Sequence, residues 1–311
     1  MLILYSSDSG NLGCIPYLLI ILKGHIMSLS LSLKNYLSDL GLVAPEQLSF
    51  KFVKLLQAEH LARYSFNSLA VVMGEEVSLD VDAISQKIVT RGLGGYCFEH
   101  NKLTFELLKS VGYDVTLVMA RVLNNQEHDV PRTHRVTLLT HDGVTYLIDT
   151  GFGANCPIAP LVLQPNLLQR VGSDVYRILL KESGEYDVQI MKDGDYFTLY
   201  RFDLAVYSDA DCLMGNFYSS HYPKAGFVNN LVVSLKNADR TVTLKNHIMT
   251  MTHQDGTQER VLHSSKELHQ VLTDVFGFDL GSVVAEHLFD RFLADKLVPL
   301  PSDNMGKRVT S

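Results

Sequence analysis

Cys97 lies in the run Arg91-Gly92-Leu93-Gly94-Gly95-Tyr96-Cys97-Phe98-Glu99-His100-Asn101, where glycines lead directly into an apolar helical pattern of Phe98, Phe105, Leu107 and Leu108. The run reads as a tight turn feeding a helix that carries the cysteine in its first turn. Free backbone N–H groups and the positive end of the helix dipole gather at such a position. Both favour thiolate over thiol, and thiolate is the nucleophile. Covalent catalysis by Cys97 is the chemistry this suggests, and it requires a histidine base and a third group to orient that base.

A hairpin selects one histidine from the 12 in the chain. Asp142-Gly143 has the composition of a two-residue hairpin turn. Pairing about that turn sets His134 opposite Gly151 and Val136 opposite Asp149. His134 and Asp149 are then diagonal neighbours on one face, with Cα atoms roughly 7–8 Å apart. A one-residue slip would send them to opposite faces, so the pairing stands or falls with the turn. Cys156 and Cys212 have no comparable setting and read as packing residues.

Gly151-Phe152-Gly153-Ala154 follows Asp149. It is not a dinucleotide fingerprint, because Cys156 takes the last glycine position and no helical pattern follows. A loop of small residues beside the hairpin could bring backbone N–H groups to a phosphate, or could be an ordinary strand exit.

The elements that must hold these residues change character along the chain. Residues 27–112 read as three or four helices: one begins near Pro45, one is capped by Asp80, and the Cys97 helix ends near Gly112. From Tyr113 the pattern is β-branched. Strands are expected at 115–122, 135–140, 144–148, 175–180, 186–191 and 196–202, separated by glycine turns, which makes an antiparallel unit of barrel type. After about residue 212 strands are expected at 231–235, 241–244, 247–251 and 260–263. A helix opened by Ser264 and Glu267 at capping-box spacing stops near Gly277, and a last helix starts at Ser282.

Composition narrows the function. The chain has 311 residues, 46% of them hydrophobic and 20% charged, with a formal net charge of −7. That balance argues against a nucleic-acid binder, and an anionic ligand would need local binding groups. Four widely spaced cysteines with no C-x-x-C or H-E-x-x-H motif argue against a disulfide scaffold or a zinc site and fit a reducing cytoplasm. The apolar run Cys14–Leu22 is too short to span a bilayer and lacks basic residues ahead of it. Residues 1–26 are therefore expected to be an extension that precedes a true start at Met27, with an export or anchor segment as the alternative, and no membrane association is expected.

Gly94 to Asn101 resembles the R-G-G-Y-C-F-E-x-N motif of the arylamine N-acetyltransferases. Thr133-His134-Arg135 is similar to that family's T-H-x segment, Tyr146 to Gly153 to its Y-x-x-D-x-G-F-G segment, and Asn216 to Phe227 to a further family pattern. The resemblance implies an α+β fold with a thiol-protease-like core: a helical bundle (27–112), a β-barrel (113–211) and an α/β lid (212–311). It implies a Cys97–His134–Asp149 triad, acetyl-CoA as acyl donor without a metal, and arylamine, hydrazine or arylhydroxylamine acceptors. Gly151, Gly153 and Ala154 would lie near the CoA phosphates, and Phe66, Tyr96 and Phe98 are candidates to line an aromatic acceptor pocket. The same triad would also serve a thiol hydrolase or a transglutaminase-like enzyme, and a catalytically silent relative would retain the fold. Two positions depart from the family: Leu93 replaces its Arg, and Ser65-Phe66-Asn67-Ser68 replaces P-F-E-N, losing the Glu. Loss of one acid and one base together suggests that the two pair structurally.

Overall fold

In the computed structural model, residues 29–127 and 129–292 are described, so the expectations for residues 1–26 and for a start at Met27 fall outside the described residues. The N-terminal region comprises helices α1 (Leu31–Asp39), α2 (Phe50–Arg63), α3 (Leu69–Val72), α4 (Val81–Ser85) and α5 (Cys97–Val111), with a two-residue strand β1 (Phe66–Asn67) between α2 and α3. α2 starts five residues beyond Pro45, because Ser49 supplies the cap: its hydroxyl accepts the Phe52 N–H at 3.4 Å. α5 starts at Cys97 and ends at Gly112, whose φ of 105° suits a residue without Cβ.

The central region is a nearly closed barrel. Strands β2 (Asp114–Val122), β3 (Arg132–His141), β4 (Val144–Ile148), β5 (Leu161–Val162), β6 (Gln169–Val171), β7 (Asp174–Leu180), β8 (Tyr186–Lys192) and β9 (Asp195–Phe202) run in the order β5-β4-β3-β2-β9-β8-β7-β6. The β3–β4 turn is Asp142-Gly143, with φ of 50° and 75°, and it sets Thr137 opposite Ile148 as the sequence predicts. The gap between the edge strands β5 and β6 is bridged by one side chain. The Gln169 amide accepts the Val162 N–H at 2.7 Å and donates to the Val162 carbonyl at 2.9 Å, standing in for a strand. Val136 and Leu138 pack with Ile178 and Leu199 inside the barrel, while Leu139 packs against the helices. β3 is therefore covered on both faces.

The lid begins with α6 (Asp209–His221) and α7 (Gly226–Asn229), so the boundary expected at residue 212 falls inside a helix. Strands β10 (Val232–Lys236), β11 (Arg240–Lys245), β12 (Ile248–His253) and β13 (Gly256–Val261) then form an antiparallel sheet, with β1 as its first strand. β13 lies upstream of the strand expected at 260–263, because the last hairpin pairs His253 with Gly256 and so turns early. Helices α8 (Ser265–Gln270) and α9 (Ser282–Phe292), with the helical turn Val271–Val275 that continues α8, bury Leu268, Leu272 and Leu288 against Val233, Val242 and Leu244. β1 belongs to two structures at once. Phe66 pairs with Ser234 in the lid sheet and bridges to Gly95 in the turn before Cys97. Region 27–112 thus contributes a strand to the lid, which the helical reading missed. Among the described residues no helix is long and apolar enough to cross a membrane.

Candidate active site

Three elements converge on one cleft of about 500 Å³. α5 contributes Cys97, β3 contributes His134, and the segment after β4 contributes Gly151 and Phe152 to its wall. The turn before Cys97 is packed too tightly for side chains: a Cβ on Gly94, at φ 59°, would collide with the Ser65 carbonyl. Glu99 fixes the helix start by accepting the Tyr96 N–H at 3.1 Å while pairing with Lys87 at 2.7 Å.

His134 Nε2 donates to Asp149 Oδ2 at 2.8 Å, and both side chains are buried. Asp149 is held as the carboxylate. Burial pushes its carboxyl up, but the His134 ring, the Asn101 amide and the Gly151 N–H together outweigh that and bring it below the usual range. With the proton on Nε2, the lone pair of Nδ1 is free to act as a base. The rings of Phe152 and Tyr200 lie 5.0 and 4.9 Å from the His134 ring and wall it in.

The nucleophile differs from expectation in its electrostatics. The helix start alone does not favour the thiolate. Burial, and then the charge of Asp149, push the Cys97 thiol up, and the N–H groups of Phe98 and Arg135 only partly offset this. At rest the thiol donates to the Thr133 carbonyl at 3.4 Å. A thiolate here requires a cation formed beside it, and His134 is the group on the same cleft that can become one.

Asn101 is the site residue to which the sequence reading gave no role. It lies one turn beyond Cys97, at i+4, and so on the same face of α5. Its amide donates to Asp149 Oδ1 at 3.0 Å and to the Arg135 carbonyl at 2.6 Å, while its oxygen accepts the Thr150 N–H at 2.8 Å. One side chain thus joins the helix of the nucleophile to the strand of the base and to the acid.

Behind α5 lies a buried relay. His100 Nε2 donates to the carbonyls of Ser65 and Gly95, at 3.2 and 3.1 Å, so its Nδ1 accepts from His60 Nε2 at 2.7 Å. His60 Nδ1 then accepts from the Tyr36 hydroxyl at 2.5 Å. Burial holds His60 well below its usual range and His100 down at about 4, so both rings are neutral.

The other predicted positions divide. Phe66 lines the cleft, joined by Phe152, Phe227, Val122 and Val130. Tyr96 and Phe98 do not line it: both are buried in the core, and the Tyr96 hydroxyl donates to Asn216. Of the phosphate-loop candidates, Gly151 borders the cleft, but its N–H is used by Asp149 at 2.9 Å. Gly153 and Ala154 form a 3₁₀ turn behind the wall, with Gly153 facing Phe66 and Ser234. The two departures from the family pattern meet in space, since the Asn67 amide donates to the Leu93 carbonyl at 2.9 Å. No group of three or more metal-ligating side chains occurs among the described residues.

A family profile described as N-acetyltransferase matches residues 50–284. The arylamine N-acetyltransferase / N-hydroxyarylamine O-acetyltransferase of Salmonella typhimurium is 32% identical over 76% of this chain and 86% of its own length. The arylamine N-acetyltransferase of Escherichia coli is 30% identical over 83% and 92%. The solved Salmonella typhimurium enzyme superimposes with a TM-score of 0.79 at 27% identity, over 85% of this chain and 100% of that one. The Mycobacterium marinum enzyme, solved in complex with CoA, gives 0.78 at 27% identity, over 84% and 99%. Sequence and architecture agree over most of the chain, which belongs to the arylamine N-acetyltransferase family of acyltransferases.

Proposed function

We propose that this protein transfers an acetyl group from acetyl-CoA to the nitrogen of arylamines or hydrazines, or to the oxygen of arylhydroxylamines, in a ping-pong reaction through acetyl-Cys97. The observation that carries this reading is the His134–Asp149 contact of 2.8 Å, made by a histidine that lines the same cleft as Cys97. The named activities of the Salmonella typhimurium relative and the CoA complex of the Mycobacterium marinum enzyme support the donor and the acceptor class.

The thiol leaves the Thr133 carbonyl and gives its proton to His134 Nδ1. Asp149 keeps the ring oriented and balances the imidazolium. The sulfur attacks the thioester carbonyl, and the oxyanion is stabilised by backbone N–H groups near Cys97. The C–S bond to CoA breaks, and His134 returns its proton to the departing CoA sulfur. Exchange of one thioester for another is nearly balanced, so this half-reaction depends on positioning. The acceptor nitrogen then attacks acetyl-Cys97, its proton passes to His134, and Cys97 recovers it as the C–S bond breaks. Phe66, Phe152 and Phe227 offer aromatic faces to an arene in the cleft. Cys97, Cys156 and Cys212 are all free, which supports a reducing compartment such as the cytoplasm.

Incubation with acetyl-CoA alone should place one acetyl group on Cys97, read by peptide mass spectrometry, with release of free CoA thiol. Normal amine acetylation by Cys97→Ala protein would sink the mechanism.

A further inference from the structure

Among the described residues that line the catalytic cleft Lys224 is the sole Lys, Arg, Asp or Glu, and the other walls are largely aromatic and aliphatic. Several cations elsewhere on the barrel and lid are paired: Arg132 with Asp203 at 2.6 Å, Arg201 with Asp187 at 2.6 Å, and Lys236 with Asp174 at 2.7 Å. Lys224 has no hydrogen-bond or ion-pair partner among the described residues.

Its backbone, by contrast, is firmly held. Lys224 is the third residue of a turn closed by the Ala225 N–H donating to the Tyr222 carbonyl at 2.8 Å, with Pro223 fixing φ just before it. The Asn229 amide donates to the carbonyls on either side, Pro223 at 2.7 Å and Ala225 at 2.9 Å. Ala225 is itself buried. The chain thus fixes the root of a flexible cationic side chain at a cleft in a protein whose net charge of −7 repels anions at long range.

We propose that Lys224 is the specificity-determining residue that receives an anionic group of a bound substrate in this cleft. The proposal rests on the acyl-transfer reading above. Two groups share that chemistry: the phosphates of the acyl-CoA donor and a carboxylate on the acceptor ring. An ammonium is a compact point charge that serves either one.

The test compares wild type, Lys224→Met and Lys224→Arg with two donors, acetyl-CoA and uncharged S-acetylpantetheine, and two acceptors, 4-aminobenzoate and an alkylaniline. In a ping-pong reaction kcat/KM for each substrate reports its own half-reaction. Lys224→Met should lose roughly tenfold or more toward whichever anionic substrate uses the contact, and nothing toward its uncharged counterpart. Lys224→Arg should restore most of the loss. Selective loss toward acetyl-CoA assigns the donor phosphates, and selective loss toward 4-aminobenzoate assigns the acceptor carboxylate. Equal rates with all four substrates, or equal losses with all four, overturn the proposal, whereas turnover of the uncharged pair keeps the acyl-transfer reading intact. Calorimetric binding of CoA and of 4-aminobenzoate to Cys97→Ala protein, with and without Lys224→Met, reads the contact without turnover. No difference in either affinity overturns it there too.

Discussion

Gly151 rests directly on the backbone of Cys97: a Cβ built on Gly151 would come within 2.8 Å of the Cys97 Cα and within 2.8 Å of the Asn101 amide nitrogen. The contact holds the segment of the acid against the helix of the nucleophile. Its φ is not in the left-handed region, so the requirement is for space rather than for backbone freedom. Gly151→Ala should therefore push the Asp149 segment off α5. We expect kcat/KM to fall about 100-fold, the scale of a small misplacement of catalytic groups, with a stability loss of about 1–3 kcal/mol. Steady-state kinetics and urea unfolding would measure both, and a fully active Gly151→Ala protein would contradict the packing argument.

Asn101 should matter through geometry rather than chemistry. Asn101→Ala leaves the Arg135 carbonyl and the Thr150 N–H without their side-chain partner and removes a donor from Asp149. The expected cost is about 2–4 kcal/mol of stability. The acidic limb of the pH profile for Cys97 acetylation should also move upward, because the lost donor had favoured the Asp149 carboxylate. An unmoved limb would assign Asn101 a purely structural role.

The buried pair His60–His100 predicts how stability responds to acid. Both rings are held below their unfolded value, His100 at about 4, so the folded protein refuses protons that the unfolded chain accepts. Their contribution is complete above about pH 6.5 and is lost as pH falls toward the folded values. Between pH 6.5 and 5 His100 should remove about 1.5 kcal/mol of unfolding free energy, and His60 should act in the same direction. Denaturant titrations at several pH values would test the sign, and stability that stays level or rises over that window would refute it.

Asn67 and Leu93 should behave as a coupled pair. Leu93 packs at the lid core, and the Asn67 amide holds its carbonyl. Leu93→Arg alone puts a guanidinium in place of a leucine packed on the lid core and should destabilise by about 1–3 kcal/mol without raising activity. Adding Asn67→Glu should recover part of the loss, with a coupling energy above about 0.5 kcal/mol in a double-mutant cycle. A large activity gain from Leu93→Arg alone would show that the family's arginine acts in chemistry.

The His134–Asp149 pair was legible in the sequence because Asp142-Gly143 fixes a hairpin register, and register fixes faces. The start of α5 at Cys97 was legible for a similar local reason. What failed depends on tertiary packing. Phe98 and Tyr96 flank the nucleophile in sequence, yet they turn into the core, and the cleft wall comes from Phe152 and Phe227 on other elements. The upward push on the Cys97 thiol is a burial effect with no sequence signature. α6 escaped because Leu213, Met214 and Phe217 are 56%, 71% and 62% exposed, so its apolar residues trace no inward stripe. Asn101 could have been found, since its i+4 spacing from Cys97 is visible in the sequence.

Strand β1 carries a consequence for how this architecture can be divided. Its two residues are a rivet through both the lid sheet and the turn that presents the cysteine. A chain ended after the barrel would strip β1 of its neighbour and loosen Gly95 along with it. Exchanging lids between relatives would likewise fail unless residues 66–67 travelled with the graft. The lid of this enzyme is not a module that can be detached from its nucleophile.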